Sequence, residues 1–139
     1  MGFRFIRWFD EVGREDRPEV GGKNAALGEL LSSLATEGVR VPDGFAVTAD
    51  AFRRFRSHNE LDDLLEEEGG VGAESGRLRE VGRRLRSAVL DGEIPPDVAG
   101  EIRRAYRELG ERFEAADLDV AVRSSALAED MPDASFAGQ

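Results

Sequence analysis

The stretch Val20-Gly21-Gly22-Lys23-Asn24-Ala25-Ala26-Leu27-Gly28-Glu29 governs the reading of the whole chain. Gly21-Gly22 introduces a predicted helix of about four turns, 3.6 residues each. Ala26, Leu27, Leu30, Leu31 and Leu34 fall on one face at three- and four-residue spacing, and Gly38 suits the left-handed position after a last turn. The start of such a helix has backbone N–H groups without partners and carries the positive end of the helix dipole, so it favours an anion. Glycines let a phosphate approach closely, and Lys23 adds a mobile positive charge. The spacing is not that of a Walker A loop, and no Ser or Thr follows the lysine. The same residues also read as a glycine-rich entry to a helix with a solvated lysine. Lys23 is the only lysine among 19 basic residues, which tilts the comparison towards function.

Upstream, residues 3 to 9 read as a short strand, with Phe3, Phe5 and Arg7 on one side and Arg4 and Ile6 on the other. Asp10 to Val20, charged and carrying Gly13 and Pro18, reads as a loop. Downstream, Pro42-Asp43-Gly44 breaks a strand-like run and leaves Phe45-Ala46-Val47 as the paired segment. Thr48 is an expected N-cap with Asp50 in the first turn, for a helix carrying Ala51, Phe52 and Phe55. A second short helix is expected over Leu61 to Glu67, then a flexible connection at Gly69-Gly70, Gly72 and Gly76. Leu78, Val81, Leu85 and Val89 form the stripe of a longer helix stopping at Gly92. Pro95-Pro96 opens another, whose apolar face is Val98, Ile102, Tyr106 and Leu109. Leu118 to Val122 is an expected buried strand, and the remainder to Gln139 reads mainly as loop.

Two further segments can carry chemistry. Arg123, followed by Ser124-Ser125, stands at the end of the expected strand, where a guanidinium can hold two phosphate oxygens in a fork; an arginine paired with a nearby acid is the alternative. From Glu129 to Gln139, small residues surround Phe136, as in a loop that folds over phosphates and donates backbone N–H groups; a turn-rich connection is the alternative. His58, the single histidine, sits in the polar run Arg56-Ser57-His58-Asn59-Glu60 and reads as solvated. Glu66-Glu67-Glu68 reads as a solvated face and not as a metal site.

The 139 residues suffice for one modest domain with a core, and 40% are hydrophobic. With no cysteine, disulfides and thiolate metal sites are excluded. No apolar run approaches the length that spans a bilayer, the N-terminus lacks signal-peptide features, and a cytoplasmic protein is the default. The net charge of −10 argues against a nucleic-acid partner. Arginine in place of lysine fits either a GC-rich genome or an acidic, salt-adapted surface whose self-repulsion salt would screen.

Taken together, three stretches closely resemble the N-terminal region of the phosphoenolpyruvate synthase (pyruvate, water dikinase) family. They are Val20 to Glu29; Val41-Pro42-Asp43-Gly44-Phe45-Ala46-Val47-Thr48-Ala49-Asp50-Ala51-Phe52; and Ala121-Val122-Arg123-Ser124-Ser125-Ala126 through Ser135-Phe136-Ala137-Gly138-Gln139. The last is the most specific. Pyruvate phosphate dikinase and rifampicin phosphotransferase share this kind of nucleotide domain and stand as alternative parents. The resemblance implies an α+β fold, the first subdomain of an ATP-grasp nucleotide-binding domain, with helices packed on a small mixed sheet over residues 1–139. It implies ATP as ligand, with Lys23 and Arg123 on its phosphates and Ser135, Ala137, Gly138 and Gln139 in the loop above them. It also implies magnesium, held by residues beyond Gln139. The family reaction converts ATP, pyruvate and water to AMP, phosphoenolpyruvate and phosphate through a phosphohistidine on a separate domain. His58 does not match that histidine. Leu127 stands where the synthase pattern has threonine. The expectation is an ATP-binding fragment, inactive alone, that ends inside a motif. A binding subunit completed by a chain carrying the remaining domains is the alternative.

Overall fold

The computed structural model describes residues 2–34, 37–38, 41–69 and 75–125. The chain divides into two units, Met1–Asp50 with Gly100–Gln139, and Ala51–Ala99.

The first unit is organised on a two-stranded antiparallel sheet, β1 (Ile6–Trp8) against β2 (Phe45–Val47), paired Ile6↔Val47, Arg7↔Ala46 and Trp8↔Phe45. The Pro-Asp-Gly break ahead of β2 falls as expected. The sheet is antiparallel among the described residues, not mixed. Ile6 and Trp8 form the strand's core face: they pack with Ala105 and Leu109 of α6 (Pro96–Arg112) and with Phe3, Phe45, Ile102 and Leu118. Alternation sends Arg7 to the opposite side, where it pairs with Asp16 and Glu19. Trp8 is the centre of this cluster. Phe3 and Phe45 meet it edge-on, and the Arg112 guanidinium lies 3.7 Å from its ring centroid. Burial opposes the charge on Arg112, but its hydrogen bond to Asp43 and the charges of Asp43, Asp10 and Glu108 outweigh that and raise its pKa. Glu101 ties the N-terminal segment to α6 by accepting the backbone N–H groups of Arg4 and Phe5.

Residues 10 to 20 are not an open loop. Two 3-10 turns, Phe9–Glu11 and Arg14–Asp16, lead into a single helical turn, α1 (Arg17–Val20). The Asp16 carboxylate accepts the Gly13 N–H and secures the second turn. Val12 and Val20 then join Ala25, Ala46 and Phe9 in a second apolar cluster. Against it lies α2 (Gly22–Leu34). Its length matches expectation; its buried face does not. The buried positions are Ala25 and Gly28, whereas Ala26 and Leu30 are exposed. The cause is close backbone approach. A Cβ on Gly28 would collide with the carbonyl oxygens of Val12 and Phe9, so the smallest residues, and not the leucine stripe, mark the contact. Gly38 takes φ +74.

The second unit is helical. α3 (Ala49–His58), shared across the unit boundary, begins after Thr48 as expected, but the buried Thr48 hydroxyl has no hydrogen-bond partner. Phe52 stacks on Phe55 and stays exposed. α4 (Leu61–Gly69) and α5 (Ser75–Asp91) absorb Gly69 and Gly76, which sequence reading places in the connection; residues 70–74 lie outside the described ones. Asn59 joins the end of α3 to the segment after α5. Its amide donates to the Phe55 and Glu93 carbonyls and its oxygen accepts the Glu93 N–H. Gly92 ends α5 where a Cβ would meet the Phe55 ring at 2.7 Å. Arg54 hydrogen-bonds Asp97 and holds its carboxyl below the usual pKa. His58 is exposed, as expected.

Candidate functional site

Two of the three segments singled out in the sequence meet in the first unit. The meeting point is Gly21, between α1 and α2. Gly21 has φ +83 and ψ 160, a combination that essentially only glycine adopts. Its N–H donates to the Arg17 carbonyl and closes α1, while its own carbonyl accepts the Ala25 N–H and opens α2. The chain thus changes direction at one residue without losing either helix-end bond. A Cβ here would lie 3.1 Å from the Ser125 carbonyl oxygen. Glycine therefore serves twice, for its backbone angle and for the space that Ser125 occupies.

Lys23 follows two residues after this contact, half-buried in the first turn of α2. No acidic residue occupies that turn, in contrast to Asp50 in α3, Asp62 and Asp63 in α4 and Asp97 in α6. The backbone dipole at the N-terminal end of α2 is thus not offset by an acidic side chain within that turn. Asn24, to which sequence reading assigns no separate role, turns its side-chain amide back to the Val20 carbonyl at 2.7 Å. Arg123 lies two residues before Ser125, exposed to solvent.

The segment carrying Arg123 departs from expectation. Residues 118–125 form no strand among the described residues. Leu118 packs on the Trp8 cluster and its carbonyl accepts the Tyr106 hydroxyl at 2.7 Å, but Val120 is 47% and Val122 92% exposed. Both described strands are already paired with each other, and neither adds this segment as a third. Its apolar alternation is real; the burial that alternation predicts is absent. Ser135, Ala137, Gly138 and Gln139, together with Leu127, lie outside the described residues.

A hollow of 330 Å³ runs beside the later turns of α2, lined by Asp10, Glu11, Glu15, Glu29, Ser32 and Ser33. Four carboxylates repel phosphate, so it does not compete with the Gly21 end as an anion site. Among the described residues no group of three or more His, Asp or Glu side chains can hold a metal. No helix among them is long and apolar enough to cross a membrane.

The turn at Gly21 thus brings together a lysine, a helix start with no acidic side chain in its own first turn and the segment that carries Arg123, an arrangement with the chemistry to hold an anion. Residues 17–139 match the pyruvate phosphate dikinase AMP/ATP-binding domain, and the chain belongs to that family. It is 44% identical over 141 residues to the phosphoenolpyruvate synthase of Neisseria meningitidis serogroup B, covering all of this chain and 18% of that protein. It is 46% identical over 143 residues to a probable phosphoenolpyruvate synthase of Staphylothermus marinus, covering 98% of this chain and 16% of that one. With the Escherichia coli K12 phosphoenolpyruvate synthase it shares 42% identity over 136 residues, 96% of this chain and 17% of the relative. The chain therefore spans less than a fifth of the length of these curated relatives. The expected resemblance holds.

Proposed function

We propose that this chain supplies one wall of the ATP-phosphate site of a phosphoenolpyruvate synthase-type dikinase, as the first subdomain of an ATP-grasp domain. The observation that carries this reading is the seating of Ser125 on Gly21, which brings together the Lys23 and Arg123 segments. Lys23 supplies a compact positive charge in the first turn of α2, and Arg123 a planar fork. The N–H groups of that first turn add fixed dipoles. Phosphoryl transfer is helped mainly by such positioning and charge stabilisation. The parent reaction converts ATP, pyruvate and water to AMP, phosphoenolpyruvate and phosphate, in the cytoplasm. It needs a phosphohistidine and a pyruvate site, to which none of the residues assigned here belongs; nucleotide binding is the part of the reaction given to these residues. Ser135, Ala137, Gly138 and Gln139 belong to the loop over the phosphates. Magnesium neutralises phosphate charge in such reactions, and it is given no ligand among the described residues, where no cluster fits it.

Calorimetric titration with ATP tests the assignment. Lys23→Ala and Arg123→Ala should each weaken binding about tenfold, equivalent to about 1.4 kcal/mol. A variant that titrates like the wild type removes its residue from the site. The exposure of Val120 and Val122 favours a second reading, a binding subunit completed by a separate chain with the remaining domains. Co-purification of such a chain supports it; a stable monomer from the native host argues against it.

A further inference from the structure

We infer that Asn24 is a positioning residue for the candidate phosphate site: its side-chain amide locks the Gly21 turn and thereby sets Lys23 and Ser125 relative to each other. The inference rests on the phosphate-site reading above. α1 is a single turn (Arg17–Val20), too short to hold its shape without help. It ends at Val20, which is 1% exposed, so the Val20 carbonyl needs a protein partner more than a solvated one does. Gly21, at φ +83, turns the main chain away at that point. The Asn24 amide crosses the break and donates to the Val20 carbonyl at 2.7 Å. It does so from the first turn of α2, one residue after Lys23.

The bond therefore fixes the angle between α1 and the start of α2. Two consequences follow. The direction of the first turn of α2, and with it the base of the Lys23 side chain, is set by a bond on the adjacent residue. The face of Gly21 that receives the Ser125 carbonyl is set by the same bond, because Gly21 lies between donor and acceptor in the chain. Asn24 so couples the two halves of the site without itself having to touch a phosphate.

The test uses the full chain with Asn24→Leu, which keeps the branched shape and loses the donor, and Asn24→Gln, which keeps an amide that can reach back. Backbone hydrogen exchange is followed by NMR at Gly21 and Ala25, whose N–H groups bond on either side of the junction, and at Phe9 and Thr48 as references beside the sheet. ATP affinity is measured by calorimetry. The expected result is exchange at least tenfold faster at Gly21 and Ala25 in Asn24→Leu, with the references unchanged. ATP affinity should fall about tenfold, and Asn24→Gln should recover both. Wild-type exchange in Asn24→Leu overturns the inference, as does wild-type ATP affinity with the junction loosened. Equal acceleration at all four amides also overturns it, because that is general destabilisation. If Asn24→Leu does not fold, Asn24→Ala is read the same way. If the wild-type chain itself does not bind ATP, the phosphate-site reading fails alone, and the exchange pattern still decides whether Asn24 holds the turn.

Discussion

α2 and the 118–125 segment approach each other at Gly21 and Ser125 but are held in opposite ways. α2 is seated through its backbone: Gly28 lies against two carbonyls, Ala25 is buried in the second apolar cluster, and the Gly21 junction carries bonds to Arg17, Ala25 and, through Asn24, Val20. The 118–125 segment is fastened near its ends, at Leu118 by the Trp8 cluster and the Tyr106 hydroxyl and at Ser125 by contact with Gly21, while Val120, Val122 and Arg123 between them are exposed. One side of the candidate site is built into the core. The other is a strap whose middle presents apolar and cationic groups to solvent.

That difference can be attacked at points of decreasing consequence. Trp8→Ala should be most severe, lowering unfolding free energy by about 3–5 kcal/mol in urea melts. It empties the cluster that anchors Leu118 and removes the surface under Arg112. Gly28→Val should cost about 1–3 kcal/mol or more, because the obstacle is main chain and not a side chain that can swing away; a loss below half a kilocalorie would mean that α2 shifts freely and that its seating is not rigid. Gly21→Ala should cost about 1–3 kcal/mol from its backbone angle alone and should shift the Ser125 amide resonance; an unmoved resonance would break the proposed link between the two sides. Val122→Ser should change stability by no more than about 0.5 kcal/mol, as for other exposed positions. A larger loss would show that Val122 is buried in solution, and the contrast between the two sides would then disappear.

Much of this architecture was legible because it depends on local chemistry. Pro95-Pro96 and Gly92 mark helix ends through effects confined to a few residues, and the Pro-Asp-Gly break places β2; Thr48 precedes α3 as expected, but without the cap hydrogen bond on which that expectation rests. What could not be read was which hydrophobic surface finds a partner. The leucines of α2 have impeccable helical spacing, yet the helix docks on Ala25 and Gly28, since close approach of two backbones rewards missing side chains and leaves no periodic signal. Leu118 to Val122 has the alternation of a strand, but alternation reports only a capacity for pairing. Lys23 and Arg123 stood out individually by residue type. Their common neighbour, the Gly21–Ser125 contact, joins positions more than a hundred residues apart and leaves no trace in either stretch. Asn24 was hidden for a related reason: its action is backward, on the helix before it.

The fastening of the 118–125 strap at both ends also has an entropic consequence. A free tail carrying an arginine would have to be collected from a wide volume each time a ligand arrived, and that ordering would count against affinity. Here the Tyr106 hydroxyl and the Gly21 seat restrict the chain on either side of Arg123 as the protein folds. The search left to Arg123 is mainly one over side-chain rotamers. Releasing the strap by Tyr106→Phe should therefore show first as a less favourable entropy of binding, with the contacts in the bound state left intact.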